Sequence, residues 1–172
     1  MCGLRYRMPL IDTLLPEFDR EMGQTRKVLG RVPDGQFDWR PHPTSMTLGR
    51  LAEHLAEFPA WVTIAMTQRE LEMSVKPASH VPPATGAEVL ALFDANLTIG
   101  RRHLEHKTDA EFDAPWTLKM GGKEVFTMPK ATVMRAFVLN HMVHHRGQMT
   151  VYLRMLGVKI PSIYGPSGDE QM

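Results

Sequence analysis

The chain has 172 residues, of which 43% are hydrophobic and 23% charged, and 20 Lys and Arg against 19 Asp and Glu leave a formal net charge of +1. This balance excludes a surface that is basic throughout, so we expect no nucleic-acid partner. No apolar run approaches the ~20 residues of a membrane span, so we expect no membrane partner either. The single cysteine, Cys2, excludes an internal disulfide, which is typical of cytoplasmic proteins.

The length predicts a single domain over residues 9–172, after an N-terminal extension over residues 1–8 that we expect to be disordered. Within the domain, apolar residues recur at three- and four-residue steps in four segments, which predicts four amphipathic helices. The first helix covers about residues 9–29 and is ended by Gly30. A loop with three prolines follows at residues 32–45.

The second predicted helix covers about residues 47–70, and Pro59 lies inside it, where a proline kinks or breaks a helix. A proline-rich connector over residues 74–83 leads to the third helix, over residues 85–107. Residues 85–88 open this helix with a threonine followed three positions later by a glutamate, which is the spacing of a capping box.

A pair of glycines, Gly121 and Gly122, separates two segments rich in β-forming residues, at 116–120 and 123–127. This pattern predicts a small β-hairpin. The fourth helix covers about residues 129–156. The sequence therefore predicts an all-α fold: an antiparallel four-helix bundle with a long crossover between the second and third helices and a small β-hairpin before the last helix.

Histidines are the candidate functional residues. His141 and His145 are four positions apart, so on a helix their side chains lie one turn apart on nearly the same face. His54 lies beside apolar neighbours on the predicted inner face of the second helix. Three inward imidazoles from two helices can hold one divalent ion and leave coordination positions open, as catalytic zinc sites do. We expect their rings to converge within about 5 Å if they share an ion.

The histidines also allow interpretations other than this site, some of which the sequence excludes. A lone inward histidine is more often a hydrogen-bonded core residue than a ligand, so a purely structural role stays open. A di-iron bundle needs Glu-x-x-His on its helices, and no histidine here has a glutamate three positions before it. A zincin needs H-E-x-x-H, whereas residues 141–145 read H-M-V-H-H. The 13 methionines leave a haem held by His and Met open, although such methionines are typical core residues.

Three further side chains are candidate catalytic residues. Glu57 lies one turn after His54 and could accept a proton from a ligand or from bound water. His144 lies beside the ligand pair, and Tyr152 lies two turns beyond His145, where its hydroxyl could line a pocket. A solvent-exposed helix face is the simpler interpretation of Glu57, and a contact with a neighbouring helix that of His144.

Two sequence segments resemble the DinB-like (YfiT-like) superfamily. They are M-T-L-G-R-L-A-E-H at residues 46–54 and N-H-M-V-H-H-R-G-Q at residues 140–148, and the ending over residues 152–167 is similar as well. The resemblance implies a four-helix bundle that binds a divalent metal, nickel or zinc, through His54, His141 and His145. It also implies a homodimer that acts on a small molecule, with a thiol cofactor in some relatives.

These observations give three hypotheses. The first is a metal-dependent hydrolase or thiol S-transferase, in which the ion lowers the pKa of a bound water or thiol to about 7. The second is a non-catalytic small-molecule or metal-binding module of the stress response that has the same three histidines. The third is a structural dimer whose histidines form only core hydrogen bonds. In the first, we expect the loop around residues 41–45 and the tail near Tyr164 to close the pocket.

Overall fold

A computed structural model of the chain describes residues 8–74 and 80–171. The predicted N-terminal extension therefore lies outside the described residues, except for Met8. The elements follow in this order: α1 (Leu10–Leu29), α2 (Leu48–Thr67), β1 (Glu70–Glu72), α3 (Gly86–Leu104), α4 (Asp109–Asp113), β2 (Pro115–Met120), β3 (Lys123–Pro129), α5 (Lys130–Thr132), a π-helical segment (Val133–Asn140) and α6 (His141–Met155). The predicted predominance of helix is confirmed.

Helices α2 and α3 start at threonines that provide caps. The Thr47 hydroxyl accepts the backbone N–H of Arg50 at 3.2 Å and starts α2. The Thr85 hydroxyl accepts the N–H of Glu88 in the same way, but the Glu88 carboxylate accepts from the Ala84 N–H, so the expected box is only half formed. The apolar faces of the long helices share one buried core with the sheet.

Pro59 does not break α2, which runs through it to Thr67. Instead, α3 packs closely against this part of α2. A Cβ atom on Gly100 would lie 2.3 Å from the Pro59 carbonyl oxygen, so only glycine fits there. The Asn96 amide donates to the Ala56 carbonyl at 2.9 Å in the same contact. These two contacts hold α3 against α2, the helix that carries His54.

The sheet has three strands in the order β1-β2-β3, so the prediction of a hairpin alone was wrong. The hairpin is present, with Gly121 and Gly122 at φ of +60° and +73° in its turn. In addition, β1 pairs in parallel with β2, and Leu71 is the partner of Leu118. Sequence patterns missed β1 because it has only three residues and lies where the end of the second helix was expected.

The last predicted helix is not regular. Residues Val133–Asn140 form a π-helical segment, and the α-helical part begins at His141. A π-helical segment in a helix is rare and is often found at a functional site. The α-helical part is followed by Gly157 at φ +73°, as its position in the sequence indicates.

Candidate metal centre

The three predicted ligands meet between α2 and α6. His54 comes from the middle of α2, and His141 and His145 come from the first turns of α6. Their potential ligand nitrogens all lie within 4.8 Å of one another, which meets the expected convergence. The closest pair is Nε2 of His141 and Nε2 of His145, at 2.8 Å. The i, i+4 spacing produces this contact, because α6 is a regular α-helix over both residues.

Two of the three rings are oriented by a side chain one turn further along the same helix. Nδ1 of His54 lies 3.2 Å from Oε2 of Glu57, and a carboxylate only accepts, so Nδ1 donates. Nδ1 of His145 lies 2.7 Å from Oε1 of Gln148, and the amide oxygen also only accepts. Both imidazoles therefore have their proton on Nδ1, which leaves the lone pair of Nε2 free.

The third ring is positioned by His145. Nε2 of His141 lies 2.8 Å from Nε2 of His145, so without a cation between them one of these nitrogens donates to the other. Two ligands of one ion at about 2.0–2.1 Å also lie about 3 Å apart, so a metal ion can replace the shared proton. The donor set therefore fits a metal ion, and His54 and His145 each have the outer partner that metal-binding histidines need.

The electrostatics keep the two rings of α6 neutral. Burial, together with the neighbouring His145 and His54, lowers the pKa of His141 to about 4. Burial also lowers the pKa of His145. Burial alone would raise the pKa of Glu57, but the hydrogen bond from His54 and the charge of Arg50 outweigh it and lower the pKa. At neutral pH, His141 and His145 are thus neutral and Glu57 is ionised, and neutral imidazoles are what metal binding needs.

The surroundings of the three rings differ from side to side. Phe58 is fully buried, and its ring lies 4.9 Å, centroid to centroid, from both His54 and His141. On the side of Glu57, a cleft of about 720 Å³ opens between Arg50 and His80. The cleft reaches Glu57 but is not lined by the three histidines. His141 is only partly buried, so the cluster is closed inside by an aromatic ring and has its accessible side at His141.

The structure places the three candidate catalytic residues differently. Glu57 contacts the ligand His54 directly. The ring of His144 is exposed and lies 4.9 Å from the ring of His145. The Tyr152 hydroxyl donates to the Met46 carbonyl at 3.3 Å and is held against the loop before α2.

The sequence predicts that the tail near Tyr164 closes the pocket, but Tyr164 does not cover the histidines. The Tyr164 hydroxyl donates to Glu21 of α1 at 2.6 Å, and it also contacts Arg146. Arg146 follows His145 directly but projects from a different face of α6, toward α1. Tyr164 is thus drawn toward α1 by a buried charge pair, which the spacing of the sequence does not indicate.

Gln148 was the residue that sequence analysis missed at this centre. The signal was present, because Gln148 follows His145 by three positions as Glu57 follows His54. On a helix, this spacing brings the second side chain to the outer nitrogen of the first.

Comparison with known proteins agrees with this fold. The DinB family model matches residues 6–171. The chain belongs to the DinB family. It is 28% identical over 162 residues to the uncharacterized protein YrdA of Bacillus subtilis, covering 93% of this chain and 91% of YrdA.

Two solved structures have a similar fold. A DinB-like protein from Bacillus cereus matches with a TM-score of 0.70 at 22% identity, covering 91% of this chain and 98% of that protein. The DinB-like protein YjoA from Bacillus subtilis matches with a TM-score of 0.66 at 14% identity, covering 93% and 99%. Among residues 8–74 and 80–171, no helix has both the length and the hydropathy of a membrane span.

Proposed function

We propose that this DinB family protein is a metal-dependent enzyme, a hydrolase or a thiol S-transferase, that acts on a small molecule. One observation carries the proposal: three imidazoles converge within 4.8 Å, and the Nε2 atoms of His141 and His145 lie 2.8 Å apart. Nickel or zinc is the proposed ion, because neutral imidazole suits both. A bound ion of this kind lowers the pKa of a water or a thiol to about 7 and supplies the nucleophile.

The residues of the chain have separate roles in this proposal. His54, His141 and His145 hold the ion through Nε2, and Glu57 and Gln148 fix two of these rings by accepting from Nδ1. Glu57 is ionised at neutral pH and lines the cleft, so it is also the proposed acceptor of a proton from the substrate.

The other two candidates have supporting roles. His144 is exposed beside His145, so it is the proposed polar contact for a substrate. We assign Tyr152 to holding the loop before α2, since its hydroxyl donates to Met46. We further propose that the protein acts as a homodimer.

A non-catalytic module with the same three-histidine site is the second candidate function. The two candidates share the ion and differ in turnover. Protein loaded with zinc or nickel is incubated with esters, amides and alkyl halides, with and without a low-molecular-weight thiol. Metal-dependent turnover of any of these supports the enzyme, and binding of the metal without turnover across the panel supports the module.

The metal site itself has a matched pair of variants. The protein is purified without a nickel column and its metal content is measured by elemental analysis. We expect about one ion per chain in the wild type and in His144→Ala, and loss of the ion in His145→Ala, because only His145 faces the other ligands. Full retention of the ion in His145→Ala would remove this residue from the ligand set.

A further inference from the structure

The histidine cluster lies where α2 packs against α6, and its two ends differ. The two helices run in opposite directions, because Trp61 late in α2 meets Phe137 just before α6, while Met46 before α2 meets Tyr152 late in α6. Arg50 precedes His54 by one turn and lies toward the Tyr152 end of the cluster. Trp61 and Phe137 lie at the other end.

The two aromatic rings at this end stack on each other. Trp61 and Phe137 stack with centroids 4.8 Å apart and planes inclined by 17°. Both are only partly buried, whereas their neighbours Phe58 and Trp116 are buried to 0% and 1% exposure. The stacked pair thus presents part of its surface outward, beside a core that is otherwise closed.

The pair is in direct contact with the ligands. The ring of Trp61 lies 5.5 Å from that of His54 and 5.6 Å from that of His141, and Phe137 lies 6.1 Å from His141. Phe137 lies in the π-helical segment, four positions before His141. The irregular part of the last helix therefore places one ring both against Trp61 and beside a ligand.

We propose that Trp61 and Phe137 determine substrate specificity by stacking on a planar, apolar group, an aromatic ring, of a substrate whose reacting group lies at the histidine cluster. This inference rests on the proposed function, because it names the substrate class of the same site. Aromatic groups stack favourably with centroids 4.5–7 Å apart, and a partly exposed ring pair provides such contacts without specific hydrogen bonds. At the other end of the cluster, the rings of Trp39 and Tyr152 are not stacked but meet edge to face at 82°.

The test uses two metal-chelating probes rather than an unknown substrate. Benzohydroxamate and acetohydroxamate bind a divalent ion through the same two oxygens and differ in a phenyl against a methyl group. Their affinities for zinc-loaded protein are measured by calorimetry, and each is divided by the affinity of the probe for free zinc. We expect the corrected affinity of benzohydroxamate to be about tenfold higher, as stacking and extra burial of the ring require.

Variants assign this preference to the pair. Trp61→Leu and Phe137→Leu should each reduce the preference to a small factor while acetohydroxamate still binds. The matched control is Trp39→Leu, because the Trp39 ring packs on Tyr152 at 5.5 Å at the other end of the histidine cluster. This variant should keep the full preference for benzohydroxamate. Circular dichroism checks that each variant is folded, and either of the two variants suffices for the test.

The inference is overturned if the two probes bind equally, if neither binds, or if the preference survives in both Trp61→Leu and Phe137→Leu. Its failure is distinguishable from that of the proposed function. Turnover without an aromatic preference removes only the role of the stacked pair. An aromatic preference without turnover of any substrate class removes only the enzyme.

Discussion

Two adjacent residues of α6, His145 and Arg146, enter two polar clusters on different faces of the helix, because successive residues project about 100° apart. On one face, His145 meets His141 and His54. On the other face, the Arg146 guanidinium, 2% exposed, donates to the Glu21 carboxylate at 2.7 Å, and the Tyr164 hydroxyl contacts both groups. Each cluster has a buried centre and joins residues from distant parts of the chain.

The clusters differ in how their polar groups are satisfied. In the arginine cluster, the guanidinium, the carboxylate and the phenol satisfy one another, and Thr25 accepts a further hydrogen bond from Arg146 at 3.2 Å. In the histidine cluster, His54 and His145 have partners at Nδ1, and the potential ligand nitrogens of all three rings converge within 4.8 Å. A charge-paired network holds a fold together, whereas three imidazoles that converge on one point suit an ion that binds there. Four predictions test this contrast.

The largest expected effect is on stability, at Arg146. Arg146→Met leaves the Glu21 carboxylate buried without its cation, so we expect unfolding by urea to show a loss of about 3–5 kcal/mol. The double substitution Glu21→Leu with Arg146→Met removes both charges and should recover most of that loss. If Arg146→Met were as stable as the wild type, the arginine cluster would have no structural role.

The histidine cluster should respond to metal instead. Zinc at a concentration of 100 times its Kd should stabilise the wild type by about 2.7 kcal/mol, and a chelator should remove this gain. His54→Ala should abolish the gain, while the double variant of Glu21 and Arg146 should keep it. A chelator that leaves the melting temperature unchanged in metal-loaded protein would favour the structural interpretation of the histidines.

The outer partners should have intermediate effects on metal affinity. Glu57→Gln and Gln148→Ala each weaken the hydrogen bond that orients a ligand, so we expect zinc affinity to fall about 10–100-fold with little change in the stability of the metal-free protein. Competition with a fluorescent zinc chelator measures this. Gln148→Glu, which keeps an acceptor, should bind zinc at least as well as the wild type, and a loss in that variant would contradict the orienting role.

The smallest effect concerns Tyr164. Tyr164→Phe removes one hydrogen bond and should lower the free energy of unfolding by about 1 kcal/mol at pH 7.

The same variant should change the pH dependence of stability. Burial alone would raise the pKa of Glu21, but Tyr164 and Arg146 outweigh it and lower the pKa. Glu21 thus contributes stability that is present above its usual pKa of 4.5 and is lost as the pH falls through the lowered value. Without the phenol the pKa rises, so acid unfolding of Tyr164→Phe should begin at a higher pH, as circular dichroism can follow. An unchanged midpoint would contradict this role.

The sequence predicted the histidine cluster because its geometry is local. The spacing of His141 and His145 places both on one face of any α-helix, and the apolar neighbours of His54 placed it on an inner face. The contacts of Glu57 and Gln148 are equally local. The sequence therefore determined most of the candidate site, including features that were identified only in the structure.

The arginine cluster and the sheet were not predictable in this way. Arg146 and Glu21 are 125 positions apart, and no periodicity links them. Strand β1 has three residues, too few for an alternating pattern, and pairs with a strand more than forty positions later. The π-helical segment also left no signal, because its residues have an ordinary amphipathic pattern. Contacts distant in sequence and irregular backbone need coordinates.

X-ray absorption spectroscopy of the zinc-loaded protein shows directly whether His54, His141 and His145 share one ion. We predict one ion per chain with three imidazole nitrogens at about 2.0–2.1 Å, and two such nitrogens in His54→Ala if that variant still holds zinc. A first shell with fewer than three imidazoles in the wild type, or an unchanged spectrum in His54→Ala, would contradict a centre shared by α2 and α6.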